Sequence, residues 1–164
     1  MDVSIKLPSL SYIPILLQLN LYSFKVEIDN GEEVITIKNI DGTETSHKMS
    51  VSDIVYLTEN GTLTTPPRPI IKNIENAISE KIEEELPKII DGIIKDNWEV
   101  GRVIAEFIRI NAEINLIVIP QEINKMLISN NSINNILGTK NKDTTYIYDL
   151  KKLQKFIHCK FLIG

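Results

Sequence analysis

The chain has 164 residues, of which 43% are hydrophobic and 24% are charged, and its formal net charge is −4. This length fits a single domain over residues 1–164, and the composition excludes intrinsic disorder of the whole chain. One cysteine and two histidines exclude a disulfide scaffold and argue against a metal site rich in cysteine or histidine. The acidic balance argues against general coating of nucleic acid.

An apolar stretch near the N-terminus is the first predicted element. Leu17–Leu21 alternates apolar and polar residues, which predicts a half-buried strand. The surrounding run, Tyr12–Phe24, is interrupted by Pro14 and by polar residues, so it is too short and too broken for a membrane span. It also lacks the basic start and the small-residue cleavage site of a signal peptide. We therefore expect no targeting segment and no contact with a membrane.

The remainder of the β-rich part, residues 1–49, is predicted to form further antiparallel strands. Phe24–Ile28 alternates and Val34–Ile37 is β-branched throughout, which is typical of strands. Between them Asp29-Asn30-Gly31 predicts a tight hairpin turn. A second turn is predicted at Asp41-Gly42, and residues 43–49 are expected to form a short edge strand or a loop.

Ser50 begins the helical part of the domain, residues 50–164. Its hydroxyl is suited to accept a hydrogen bond from the first helical turn, and Asp53 lies three residues later. The short helix is predicted to end at Asn60-Gly61. Pro66-Pro67-Arg68-Pro69 then predicts a stiff extended strut, because proline fixes φ and cannot donate a backbone hydrogen bond.

A long amphipathic helix is predicted after the strut. Its apolar residues recur at intervals of three and four and form one stripe: Ile71, Ile74, Ile78, Ile82, Leu86, Ile89 and Ile93. Pro87 is expected to kink or divide this helix, because it removes a backbone donor.

A second long amphipathic helix is predicted from Trp98 to about Val118. Asp96, with Glu99 three residues later, is interpreted as its capping signature. Pro120 is expected to end this helix and to start a short one over Gln121–Ser129. The predicted apolar stripe consists of Val100, Val103, Ile104, Phe107, Ile110 or Ile108, Ile114 and Val118.

The C-terminal region is predicted to return to strands. Residues 130–143 are rich in Asn, Ser, Gly and Lys, which predicts a solvated loop. A strand is expected to start at Thr145, a helical turn over Asp149–Gln154, and a terminal strand over Phe156–Ile163 that can rejoin the sheet. The predicted fold class is α+β, with N-terminal antiparallel strands, a short helix, the strut, two long amphipathic helices and a C-terminal strand.

No catalytic constellation is apparent in the sequence. Adjacent residues of Glu83–Glu85 face different directions on a helix, so we interpret them as a solvated acidic face. His158 and Cys159 are neighbours on a predicted strand and point to opposite faces, which excludes a nucleophile pair. Lysines at 140–142 and 151–155 lack interleaved aromatic residues, so sequence-specific binding of nucleic acid is not expected. We expect no enzymatic activity, no cofactor and no metal.

One stretch is distinctive. Ser50–Gly61, followed by Pro66-Pro67-Arg68-Pro69-Ile70, resembles the tail-completion family of tailed bacteriophages, also called neck or virion-morphogenesis proteins. Members of that family carry a short helix ending in Glu-aromatic-Gly, then Pro-Pro-Arg-Pro-Phe and a long helix. Here Asn60 stands in place of the aromatic residue and Ile70 in place of Phe.

The resemblance continues beyond the strut and covers roughly residues 50–163. Val100-Gly101-Arg102 is similar to part of the family's second long helix. Ile147-Tyr148-Asp149 is similar to its C-terminal segment, although Leu150-Lys151 stand where Thr-Gly is typical.

The resemblance implies a non-enzymatic virion component of the head–tail junction. Such a protein forms a ring around the DNA channel, sixfold or twelvefold, and joins the tail to the head. Its neighbours are head–tail connector, tail terminator and tail tube proteins, and phage DNA passes without sequence-specific binding. The implied location is the virion, after assembly in the cytoplasm of the bacterial host.

Contacts between subunits of the ring are expected at Pro66, Pro67, Arg68, Pro69 and Ile70. The planar guanidinium of Arg68 suits a carboxylate or carbonyl on a neighbouring subunit. An intrachain helix cap or ion pair is the alternative for Arg68, and the sequence leaves both open. For the whole chain, the alternative is a small intracellular regulator that binds a partner protein through its helix pair.

Overall fold

The computed structural model describes residues 12–62, 65–129, 136–141 and 144–164, and it confirms the α+β fold class. The helices in these ranges are α1 (Tyr12–Gln18), α2 (Val51–Asn60), α3 (Ile70–Lys95), α4 (Val100–Glu113) and α5 (Ile119–Ser129). The strands are β1 (Tyr22–Ile28), β2 (Glu32–Asn39), β3 (Glu44–Ser50), β4 (Ile136–Asn141), β5 (Thr144–Ile147) and β6 (Ile157–Ile163). Short 3₁₀ helices lie at Leu19–Leu21 and Leu150–Phe156.

The described strands form two antiparallel sheets. β1 pairs with β6 along its whole length, from Tyr22 opposite Ile163 to Ile28 opposite Ile157. The second sheet has the order β3-β2-β5-β4. In both sheets a strand from the first 49 residues therefore pairs with a strand from the C-terminal region, and the expected return of the terminal strand is confirmed.

The predicted hairpin at Asp29-Asn30-Gly31 is wrong. β1 and β2 lie in different sheets, and the segment between them crosses from one sheet to the other. Gly31 does not have a positive φ; it approaches Phe156 closely, where a Cβ atom would lie 3.0 Å from the ring. The second predicted turn, at Asp41-Gly42, is confirmed: it joins β2 and β3 in a hairpin, with Gly42 at φ 84°. Of the two alternatives predicted for residues 43–49, an edge strand or a loop, the structure has the edge strand, β3.

The strand predicted over Leu17–Leu21 is also wrong, because this segment ends α1 and forms the following 3₁₀ helix. Ile15, Leu16 and Leu19 pack on the core, while Leu17 and Leu21 are exposed. Helical spacing therefore accounts for burial in this short segment better than alternation does.

The short helix α2 is confirmed with its predicted ends. The Ser50 hydroxyl accepts a hydrogen bond from the Asp53 N–H at 3.1 Å, and Gly61 follows the helix at φ 72°. The long helix α3 is confirmed as well, but Pro87 does not divide it. Ile78 on one side of Pro87 and Ile89 on the other are both buried, so packing on the core holds both halves of the helix.

The turn from α3 to α4 differs from the prediction. Asp96 follows the end of α3 and does not cap α4, which begins at Val100 rather than at Trp98. The Trp98 ring lies against Gly92, where any Cβ atom would overlap it. The Gly92 carbonyl accepts hydrogen bonds from the Asp96 and Trp98 N–H groups, both at 3.1 Å. Contact with the indole ring therefore fixes this turn.

Pro120 does not end the second long helix. A π-helical turn, Ile114–Val118, joins α4 directly to α5, and the backbone remains helical throughout. Pro120 lies in the first turn of α5, where its missing donor costs little after a wider turn. The short helix predicted over Gln121–Ser129 is confirmed as part of α5.

The loop predicted over residues 130–143 is wrong in part, because residues 136–141 form β4, which pairs antiparallel with β5 through two shifts of register. Residues 130–135 and 142–143 lie outside the described ranges. The strand predicted from Thr145, the helical turn near Asp149 and the terminal strand are confirmed as β5, a 3₁₀ helix and β6.

The core lies between the helices and the two sheets. Four aromatic side chains cluster at one side of the core, Tyr22, Phe24, Phe107 and Phe161. Of these Phe107 is buried and the other three are partly buried, and the Phe107 and Phe161 rings stack with centroids 5.5 Å apart. Asn115, in the π-helical turn, attaches the helices to β6: its Nδ2 donates to the Cys159 carbonyl at 2.9 Å and its Oδ1 accepts from the Cys159 N–H at 2.8 Å. The edge of β6 that faces away from β1 is therefore occupied at this point.

Candidate interaction surface

The strut and the end of α2 form one interlocked unit. Gly61 has φ 72° and ψ −177°, a conformation that is essentially restricted to glycine. A Cβ atom on Gly61 would lie 2.6 Å from the Pro67 nitrogen and 2.7 Å from the Thr65 carbonyl oxygen. The strut backbone therefore passes directly over this glycine, which explains the spacing between Gly61 and the prolines.

Glu59 connects this unit to α3. Its two carboxylate oxygens accept hydrogen bonds from the Ile71 and Lys72 N–H groups, both at 2.9 Å. These are N–H groups of the first turn of α3, which have no partner within the helix, and a carboxylate at this end also complements the helix dipole. Glu59 is thus the side-chain cap of α3, although it lies twelve positions before Ile71 in the sequence.

Of the residues predicted to form a subunit interface, the fold exposes some and buries others. Pro66 and Pro67 are exposed, and Pro69 is half-buried. Arg68 is only 1% exposed and Ile70 only 3%, so both side chains lie inside their own subunit. The Arg68 N–H donates to the Thr58 carbonyl at 2.7 Å, and burial lowers the pKa of its guanidinium. This placement favours the intrachain alternative for Arg68, and it leaves Pro66 and Pro67 as the part of the strut that another subunit can contact.

A second exposed surface lies on the outer side of α4. Val103, Phe107, Ile110 and Ile114 are buried, so Ile110 rather than Ile108 belongs to the core stripe. Opposite this core stripe, exposed residues at helical spacing carry no charge along α4 and into the π-helical turn that follows it. We call them the α4 stripe: Gly101, Ala105, Ile108, Ala112 and Leu116. Ile108 is 57% exposed and Leu116 is 77% exposed. The outer face of a surface helix is normally polar, so α4 is apolar on two opposite sides.

Charged side chains between α3 and α4 border this stripe on one side. Arg109 binds Glu85 at 2.9 Å and Glu113 at 2.7 Å, and Lys81 binds Glu113 at 2.7 Å and Glu85 at 3.3 Å. Burial raises the pKa of Glu85, but hydrogen bonds from Arg109 and Lys81 outweigh burial and hold this pKa below its usual value. Glu85 is 6% exposed, so the prediction of a solvated acidic face applies only to Glu83 and Glu84, which are exposed.

A groove lined by both apolar and polar residues runs between β1 and α3, and we call it the β1 groove. One part, of about 390 Å³, is lined by Phe24, Lys25, Val26, Glu75, Ile78, Ser79 and Ile82. A second part, of about 460 Å³, shares Phe24 and Ile82 and extends towards Leu16 and Leu19 of the N-terminal helices. No local pattern in the sequence indicates this groove, because its two walls come from distant segments.

The described residues offer little for catalysis. Cys159 is buried, and burial raises the pKa of its thiol to about 11, so the thiolate that acts as a nucleophile is disfavoured. The described part of the chain contains no cluster of three or more His, Cys, Asp or Glu side chains able to hold a metal ion. Within the same ranges, no helix combines the length and the apolar character that crossing a bilayer requires.

Comparison with known protein families, with curated proteins and with solved structures found no match for this chain.

Proposed function

We propose that the chain is a structural component of the head–tail junction of a tailed phage, where copies form a ring around the DNA channel and join the tail to the head. The family resemblance of residues 50–163 supplies the phage assignment. The α4 stripe is the structural observation that carries the assembly role, because it leaves large apolar side chains in water on a folded subunit.

The position of the exposed surfaces supports a ring. A ring requires a heterologous interface, in which two different patches of the same subunit meet on successive copies. The exposed part of the strut, Pro66 and Pro67, and the α4 stripe lie on different elements and provide two such patches. Full burial of one Ile or Leu side chain contributes about 1.5–3 kcal/mol, so Ile108 and Leu116 together can contribute several kcal/mol per interface.

Charge is compatible with passage of DNA. The net charge is −4, and exposed acids on α3, Glu80, Glu83 and Glu84, would repel phosphates if they faced the channel. In the proposed ring DNA therefore passes the subunits without being held, and contacts to connector and tail proteins are made by the ring's two ends.

The test is the oligomeric state in solution and on a grid. Light scattering after size-exclusion chromatography, with negative-stain microscopy, is expected to show a sixfold or twelvefold ring, alone or when connector or tail proteins are added. Leu116→Glu places a charge in the α4 stripe and is expected to disperse the ring into folded subunits. Ile40→Glu is the matched control, because Ile40 is 78% exposed on the turn between β2 and β3 and lies outside the stripe.

Two results would contradict the proposal. A chain that stays monomeric at all concentrations and with all head and tail proteins is not a ring component. The second result is a stoichiometric complex with a single protein that is absent from virions, if Leu116→Glu abolishes that complex. This result would instead support the alternative function, a regulator that binds a partner through its helix pair.

A further inference from the structure

Among the described residues, no strand pairs with the second edge of β1, and we call it the open edge. The Leu21 carbonyl accepts from the Gly164 N–H and the Asp29 N–H donates to the Phe156 carbonyl, so odd-numbered residues of this segment direct their backbone groups towards β6. The backbone groups of Phe24 and Val26 consequently point away from β6. No hydrogen bond joins these groups to any other described residue.

The open edge borders the β1 groove. Phe24 and Val26 line the groove from β1, and Ile78 and Ile82 line it from α3. A strand placed beside β1 would therefore find backbone partners on one side and an apolar wall beneath alternate side chains. An exposed edge of this kind next to apolar pockets is how proteins bind an extended segment by strand addition.

The chain itself contains a segment with the matching pattern. Residues 2–7, Asp-Val-Ser-Ile-Lys-Leu, alternate polar and apolar residues, and Pro8 follows, which cannot donate to a ladder. In a strand, Val3, Ile5 and Leu7 would share one face and Ser4 and Lys6 the other. Six residues span about 20 Å, which is comparable with the seven residues of β1.

We propose that residues 2–7 of a neighbouring copy add a third strand to the open edge of β1, with Val3, Ile5 and Leu7 against the apolar wall of the groove. This inference rests on the proposed ring. A donated segment and an accepting groove are different surfaces, so each copy gives its segment to the next and receives one from the previous copy.

One edge strand of the four-stranded sheet illustrates why β1 is the acceptor. β3 is also an edge strand, but its side chains at Glu44, His47 and Lys48 are exposed and polar. Charged side chains on an edge oppose pairing with a further strand. β3 therefore provides a matched control edge within the same protein.

Crosslinking between two differently tagged full-length variants tests the proposal. One variant carries Ser4→Cys and the other Ser23→Cys, since Ser23 is exposed on β1; the native Cys159 is buried and does not compete. Side chains opposite each other on paired strands lie about 5 Å apart and diagonal ones about 7–8 Å, so a short bismaleimide reagent joins either pair. We expect a crosslinked pair of the two tagged chains, and none when Ser46→Cys on β3 replaces Ser23→Cys.

Changes within the segment give a second readout. Adding Ile5→Asp to the Ser4→Cys chain is expected to lower the yield of crosslinked pairs at least tenfold, because the carboxylate would face Ile78 and Ile82. Lys6→Asp, on the opposite face of the segment, is the control and is expected to leave the yield within twofold.

The possible outcomes separate this inference from the proposed function. A ring without the Ser4–Ser23 crosslink overturns strand donation and leaves the ring standing. A crosslink found only when both cysteines are in one chain also overturns it, because the segment then docks on its own subunit. A crosslink between copies in open filaments supports strand donation and contradicts the ring.

Discussion

Replacing Gly61 by alanine tests whether the strut is clamped onto the end of α2. Two costs add at this position. The backbone conformation, φ 72° and ψ −177°, costs a non-glycine residue about 1–3 kcal/mol. The new methyl group would meet backbone atoms of Thr65 and Pro67 at 2.7 and 2.6 Å, and overpacking of this kind costs a further 1–3 kcal/mol or so. We expect Gly61→Ala to lower the free energy of unfolding by about 4 kcal/mol.

Gly42→Ala separates these two costs. Gly42 also has a positive φ, 84°, but no atom lies within 4 Å of the position that its Cβ would take. Its replacement should cost only the conformational part, about 1–2 kcal/mol.

Urea denaturation followed by far-ultraviolet circular dichroism gives both values, provided that the m-values match that of the parent chain. If Gly61→Ala and Gly42→Ala differ by less than about 0.5 kcal/mol, the strut does not press on Gly61. This result would refute the claim that α2, the strut and α3 form one interlocked unit. It would also refute the explanation given above for the spacing between Gly61 and the prolines.

Two further predictions concern buried charged groups. Arg68→Ala is expected to lower the free energy of unfolding, measured by urea denaturation, by about 3 kcal/mol. Arg68→Met is expected to lower it by less, because methionine keeps an apolar stem. If Arg68→Ala instead prevents assembly and leaves the free energy of unfolding unchanged, Arg68 acts at the interface between subunits. Glu85 has a pKa below the usual 4.5, so its stabilising effect is complete above that value and is lost as the pH falls through its folded-state pKa. Denaturation series at about pH 5 and pH 3 should therefore show a smaller loss of stability in Glu85→Gln than in the parent, and an equal loss would contradict the ion pairs with Lys81 and Arg109.

Local signals in the sequence predicted local structure well. The Ser50 cap, the glycine stop at Gly61 and the apolar stripe of α3 depend on residues within a few turns of each other, and the structure has all three. The Asn30-Gly31 turn failed because β1 pairs with β6 and not with its neighbour in sequence. A residue pair such as Asn-Gly indicates only which backbone angles are accessible, whereas packing between distant segments decides which strands pair.

The candidate surface was only partly predictable for the same reason. The motif around Arg68 was visible, but burial of its side chain depends on how α2, the strut and α3 meet, and the sequence left the two alternatives equal. The role of Glu59 has no sequence signature, because the N–H groups that it caps are twelve and thirteen positions away. The α4 stripe could have been noticed from the spacing of Gly101, Ala105 and Ala112, although assigning Ile108 to the core or to the surface required the position of Ile110.

The pairing of β1 with β6 has a consequence during protein synthesis. Ile28 leaves the ribosome long before its partner Ile157, and at 5–20 residues per second the delay is roughly 6–25 s. Throughout this interval both edges of β1 are unsatisfied and its aromatic side chains lack Phe161. A nascent chain in this state is prone to association with others being translated from the same message, so chaperone occupancy should be greatest between the emergence of these two strands.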